Sequence, residues 1–138
     1  MEVTVRYIDG LQFTGRGANP VDIPLDAKPE AGGKGQGAAP MELLLMSVAG
    51  CTGMDVVSIL KKMRVSPDKF EIKVEGNRAE EHPKVFTDIT LVYRFWGSDL
   101  PEDKLRHAIE LSQEKYCSVS HTVNKVAKVD YRLEINPN

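Results

Sequence analysis

The sequence predicts an α+β fold, and three features carry that prediction. One stretch, Ala38 to Met63, reads AAPMELLLMSVAGCTGMDVVSILKKM and is apolar for most of its length. Short runs of strict apolar/polar alternation lie on both sides of it, the signature of strands. Strands and helices follow one another as βββ-α-ββ-α(α)-β, without the regular βαβ alternation of a parallel α/β fold. The 138 residues suggest a single domain, residues 1–138, with a modest core.

Taken in order, Val3, Val5 and Tyr7 alternate with Glu2, Thr4 and Arg6 and predict a half-buried strand. Asp9-Gly10 is a hairpin signal, and Leu11 and Phe13 begin the return strand. Val21, Ile23 and Leu25 predict a third strand, shortened by Pro24. Together these make an N-terminal β-meander. Residues 27–37, AKPEAGGKGQG, read as a flexible, glycine-rich crossing. No Gly-Lys-Ser/Thr follows, so the stretch is not a phosphate-binding loop.

Pro40 suits the first turn of a helix, where the N–H groups have no helical partner. Glu42 meets the positive end of the helix dipole there. From Leu43 onward the helix has no polar face, which predicts burial on every side. Ser47, Thr52 and Asp55 interrupt it short of a membrane span. A single sheet covers only one side of such a helix, so a second subunit is the expected cover for the other. Gly50 and Gly53 flank Cys51, where each glycine costs about 1 kcal/mol against alanine. They point to a close approach to the backbone or the sulfur.

Beyond the helix, Phe70, Ile72 and Val74 alternate, and Val85 to Phe95 form a long strand, giving a hairpin with a long charged loop. Ser98 or Asp99 is the expected cap of a second helix, with Pro101, Glu102 and Asp103 in its first turn. Leu105, Ala108, Ile109, Ser112 and Tyr116 form its inward stripe. Cys117 ends it, a short helix follows, and Val129, Tyr131, Leu133 and Ile135 close the chain as a last strand.

The net charge is −2 and no basic patch stands out, so nucleic acid is not an expected partner. The chain opens directly on the alternating MEVTVRY, with no secretory signal, so a cytoplasmic location and reduced thiols are expected. Two cysteines alone do not make a metal site. From the residues alone, Cys51 and Cys117 are either small buried hydrophobes or a redox pair. His121 is the nearest third ligand in sequence, and a site of Cys51, Cys117 and His121 is too thin to expect.

The segment PMELLLMSVAGCTGMDVVSILKK, followed later by EKYCSV, resembles the OsmC/Ohr family of osmotically induced and organic hydroperoxide resistance proteins. The DVVSIL and EKYCSV stretches resemble its YhfA-like branch most. The resemblance implies an intertwined homodimer with two sites at its interface. It implies thiol-dependent reduction of hydroperoxides, with Cys51 as the attacking thiolate and Cys117 as the resolving thiol. A small dithiol or a lipoylated protein is the implied reductant, and no metal or organic cofactor is implied. Arg16, in Thr14-Gly15-Arg16-Gly17, corresponds to the arginine that favours the thiolate, and Glu42 to the acid that holds it. In the hydroperoxide resistance branch that acid directly follows the proline, and here Met41 has that place. Nine residues separate Glu42 from Cys51, which at about 100° per residue puts them on opposite helix faces. The alternative is a non-peroxidatic relative that binds a small apolar or thiol ligand at the dimer interface.

Overall fold

The computed structural model describes residues 1–138 and divides into two compact units, Met1–Leu44 and Leu45–Asn138. In the first unit, β1 (Thr4–Asp9), β2 (Gln12–Arg16) and β3 (Ile23–Leu25) form an antiparallel sheet in sequence order, the expected meander. Gly10 makes the tight turn with a φ of 58°. Two expectations are corrected here. Every residue of β1 is exposed, because alternation marks an apolar face without supplying what covers it. The third strand starts at Ile23 rather than Val21.

The glycine-rich stretch is not an open crossing. Asp26, almost fully buried, accepts the backbone N–H groups of Ala27, Lys34 and Gln36 at 2.7, 3.1 and 3.1 Å. Those donors, that of Gln36 first, hold its carboxyl below the usual range. Glycine is required at Gly33 and Gly37, where a Cβ would stand 2.0 Å from the Ala27 carbonyl oxygen and 2.6 Å from the Pro24 carbonyl carbon.

The helix α1 (Pro40–Lys62) starts on the expected proline. Its length and composition would suit a bilayer, and one stripe of it, Val48, Thr52, Val56 and Leu60, is buried. Within the second unit, Val48, Val56 and Leu60 join a cluster with Leu91, Tyr93, Phe95, Leu105, Ala108 and Ile109. Burial on every side is not found: Met46, Met54 and Val57 are exposed, Met54 by 76%. An apolar groove of about 770 Å³ runs beside this bare side, lined in part by Gly53, Met54, Val57, Phe70 and Ile72. Of the two glycines, Gly53 faces Ile72 at 3.4 Å from an added Cβ, whereas Gly50 is open.

The second unit holds β4 (Lys69–Arg78), β5 (Phe86–Trp96) and β6 (Lys128–Ile135). β4 and β5 form the expected long hairpin; β6 lies parallel to β5 on its other side. β5 is therefore central, and Ile89, Leu91, Tyr93 and Phe95 along it are fully buried. Phe70 stacks on Phe95 with ring centroids 4.4 Å apart. A parallel pair needs a long crossover, here α2 (Glu102–Leu111), a π-helical turn (Ser112–Tyr116) and α3 (Ser118–Val123). Neither Ser98 nor Asp99 caps α2. Pro101 stands at its cap without a side-chain hydrogen bond, and Asp99 is in a left-handed turn with φ 54°. The inward stripe of Leu105, Ala108, Ile109 and Ser112 is as expected, but Tyr116 is 51% exposed. The π turn inserts extra backbone, and helical spacing counted through it misplaces the ring.

A dithiol beside a carboxylate and a hydroxyl relay

Cys51 lies in the middle of α1, half-buried, and Cys117 lies fully buried between the π turn and α3. The π turn sets Cys117 in place. Its N–H donates to the Ser112 carbonyl at 2.7 Å, five residues back, while the Ser112 side chain faces α1. The Cys117 sulfur caps α3 by accepting the Ser120 N–H at 3.3 Å. The Ser120 hydroxyl is the one buried side-chain oxygen left without a hydrogen-bond partner.

Asp55 stands one helical turn after Cys51, on the same face. The two sulfurs and an Asp55 carboxylate oxygen all lie within 4.8 Å of one another. Behind Asp55 runs a chain of buried hydroxyls. Ser112 Oγ donates to Asp55 Oδ2 at 2.9 Å. Ser112 has spent its only proton, so its 2.7 Å contact with Thr52 must be donated by Thr52. By the same count, the 2.7 Å contact between Thr52 and Tyr93 is donated by Tyr93. Gln113 Nε2 donates to both Thr52 Oγ1 and Tyr93 Oη, at 3.1 and 2.8 Å. Every hydroxyl in the relay therefore points toward the carboxylate. Asp55 belongs to no ion pair. Charge-assisted donation from Ser112 is its support, and such bonds are roughly twice as strong as neutral ones.

Burial pushes the Cys117 thiol above its ordinary value, and neighbouring Cys51 adds to the rise, while donation from Ser120 pulls against it. Burial likewise pushes the Tyr93 phenol up to about 12, against the hydrogen bonds from Thr52 and Gln113. Cys117 is thus a protonated thiol and Tyr93 a phenol O–H donor at neutral pH, as the relay requires.

Of the four residues singled out in the sequence, Cys51 and Cys117 come together in this site. Arg16 and Glu42 belong to the first unit. Arg16 ends β2, and its Nε donates to Asp22 Oδ1 at 2.7 Å, with both side chains half-exposed. That carboxylate holds the Arg16 guanidinium pKa above its ordinary value. Glu42 is exposed in the first turn of α1. His121 is not the third group beside the sulfurs. It lines a separate cleft of about 410 Å³ with Glu110, Gln113 and Tyr131, and Asp55 has the place beside the cysteines. Sequence reasoning took Thr52 and Asp55 only as interruptions of the apolar run, and gave no role in a site to Tyr93 or Gln113. The available signals were the four-residue spacing from Cys51 and the rule that polar residues on buried faces must find partners.

The family described as OsmC-like protein matches residues 33–132. The chain is 38% identical to Protein YhfA of Escherichia coli (strain K12) over 98% of each chain. A hypothetical protein from Aquifex aeolicus VF5 superposes with a TM-score of 0.81 at 33% identity, covering 99% of this chain and 97% of that one. The organic hydroperoxide resistance protein OhrB of Bacillus subtilis shares the fold, with a TM-score of 0.65 at 22% identity and 96% of each chain covered. By the family match and the near full-length identity to YhfA, the chain belongs to the OsmC-like proteins.

Proposed function

We propose that the protein reduces organic hydroperoxides or related peroxides with a thiolate on Cys51, resolved by Cys117. The observation that carries this reading is the approach of the two sulfurs to within 4.8 Å. The Cys51 thiolate attacks the O–O bond of ROOH, giving Cys51 sulfenic acid and an alkoxide that takes up a proton as ROH. The Cys117 thiol then attacks the sulfenic sulfur, an S–S bond forms, and the hydroxyl leaves as water with the Cys117 proton. A small dithiol or a lipoylated protein returns both thiols by exchange. Half-buried Cys51 suits the attacking role, and fully buried, protonated Cys117 suits the resolving one. Arg16 is the proposed cation at the thiolate, with Glu42 as its proposed holder, and neither a metal nor an organic cofactor takes part.

The proposed assembly is a homodimer working in the cytoplasm, supported by the bare apolar side of α1. The groove on that side also favours a second reading, in which the protein binds a small apolar or thiol-bearing ligand without turning it over. Titrating free thiols before and after one equivalent of cumene hydroperoxide separates the two. The peroxidatic reading expects two thiols lost per chain and one equivalent of alcohol formed. Full retention of both thiols refutes it.

A further inference from the structure

We propose that Cys51, Asp55 and Cys117 form a binding site for a thiophilic divalent cation of the zinc class, one ion per chain. The argument begins with reach. In a tetrahedral zinc site, with Zn–S about 2.3 Å and Zn–O about 2.0–2.2 Å, neighbouring ligand atoms stand roughly 3.5–3.8 Å apart. Here all three ligand atoms already lie within 4.8 Å of one another. The remainder, about 1 Å, is on the scale of side-chain rotation rather than of backbone movement. Their spacing of one helical turn is the spacing with which helices present two ligands to one ion.

Charge gives the second argument. The relay from Tyr93 through Thr52 and Ser112 aims its protons at Asp55 and holds its carboxyl group in place beside the two sulfurs. No cationic side chain pairs with it. A divalent cation entering the cluster meets one carboxyl group and two sulfurs with no competing cationic side chain, displacing the two thiol protons to solvent. The third argument is the surrounding shell. Metal-bound carboxylates and thiolates are held by outer hydrogen bonds. Here Ser112 Oγ holds Asp55 at 2.9 Å and the Ser120 N–H holds Cys117 Sγ at 3.3 Å.

The donor set selects the ion. Two sulfurs and one oxygen suit zinc or cadmium and reject calcium and magnesium. Three protein ligands leave a fourth position open for water or a small donor, and half-buried Cys51 is the side from which the ion arrives. The same sulfurs cannot hold the ion and form a disulfide at once, so metal loading and oxidation exclude each other. This site stands on reduced thiols and does not depend on the peroxidatic reading.

The test uses the full, reduced chain with cadmium chloride as the probe and no peroxide present. Titration is expected to raise a thiolate-to-cadmium charge-transfer band that saturates at one ion per chain, with release of two protons. Zinc chloride, titrated separately in competition with a chromophoric chelator, should bind at one ion per chain and slow iodoacetamide labelling of Cys51. Cys117→Ser should lose about half of the band. Asp55→Asn should keep the band but bind at least tenfold more weakly, and Ser112→Ala should weaken binding within the roughly 10–100-fold range of outer-shell changes. No saturable band in the wild-type chain overturns the proposal, and this arm needs no variant to fold. An affinity unchanged by Asp55→Asn in a variant of native circular dichroism overturns the three-ligand site.

Discussion

Ser112 Oγ donates to Asp55 Oδ2 at 2.9 Å, and that one bond sets the direction of each hydroxyl behind it. Thr52 is the middle of the relay. It accepts from Tyr93 and Gln113 and donates to Ser112. Thr52→Val has nearly the same shape but leaves the buried Tyr93 hydroxyl without an acceptor. An orphaned buried donor costs about 1–3 kcal/mol. Urea denaturation of Thr52→Val should show a loss in that range, and Thr52→Ser should recover most of it. Equal midpoints for Val and wild type would mean the relay contributes nothing to stability.

Tyr93 gives a pH dependence with a definite sign. Its phenol is raised from 10.0 to about 12 by burial, so the folded state disfavours the phenolate. The associated stability is fully present below the unfolded value near pH 10. It is lost as pH rises toward 12 and amounts to about 2–3 kcal/mol at 1.36 kcal/mol per unit. Cys117, also raised, contributes with the same sign from about pH 9 upward. Denaturation curves taken across this alkaline window should fall steeply in the wild type. The slope should be shallower in Tyr93→Phe, and in Cys117→Ser its lower part should flatten.

The long helix, the meander, the hairpin and the closing strand were legible in the sequence because periodicity is local and each stretch carries its own. What covers an apolar face is not local. β1 alternates like a half-buried strand, yet all six of its residues are exposed. Helix α1 is apolar all round, yet in this chain it buries only the stripe of Val48, Thr52, Val56 and Leu60. Tyr116 was misplaced because a π turn has no sequence signature that a 3.6-residue count respects. The cysteines of the site were legible. Asp55 was hidden among them because a polar residue in an apolar helix looks like a flaw until its partner Ser112 on the π turn is known.

The bare side of α1 predicts the assembly. Dilute protein should scatter light as a dimer, since obligate interfaces bury roughly 2,000 Å² or more and resemble a divided core. Val57→Asp places a charge on that exposed apolar side without touching the relay. It should shift the mass toward a monomer and raise binding of a hydrophobic dye. A wild-type monomer that is soluble and stable would remove the dimer from the proposed function.

Exposure to peroxide separates the two cysteines by role. Mass spectrometry of the wild-type chain after one equivalent of cumene hydroperoxide should show loss of two hydrogens, the mark of a Cys51–Cys117 disulfide. Cys117→Ser should instead stall with one oxygen added at Cys51 and go on to higher oxides with excess peroxide. Cys51→Ser should keep its mass. Unchanged mass in both the wild type and Cys117→Ser would count against the mechanism.

The last prediction concerns the cation at the thiolate. Cys51 is far along α1, and the helix dipole acts only within the first turn, so a reactive thiolate needs a positive charge from elsewhere. Arg16 is the proposed source, and its guanidinium is engaged by Asp22 at 2.7 Å. Both partners are half-exposed, and solvent screens such pairs strongly. Asp22 is therefore a weak competitor that a thiolate can displace, and the two substitutions should act in opposite directions. In a Cys117→Ser background, where only Cys51 labels, Arg16→Ala should move iodoacetamide labelling to higher pH and slow it at neutrality. Asp22→Asn frees the guanidinium and should speed labelling at neutrality. Arg16→Lys should recover part of the rate, because it restores the charge without the planar fork. Identical labelling curves for Arg16→Ala and its parent would remove Arg16 from the site. The thiolate would then need another cationic partner, or the ligand-binding reading would become the better one.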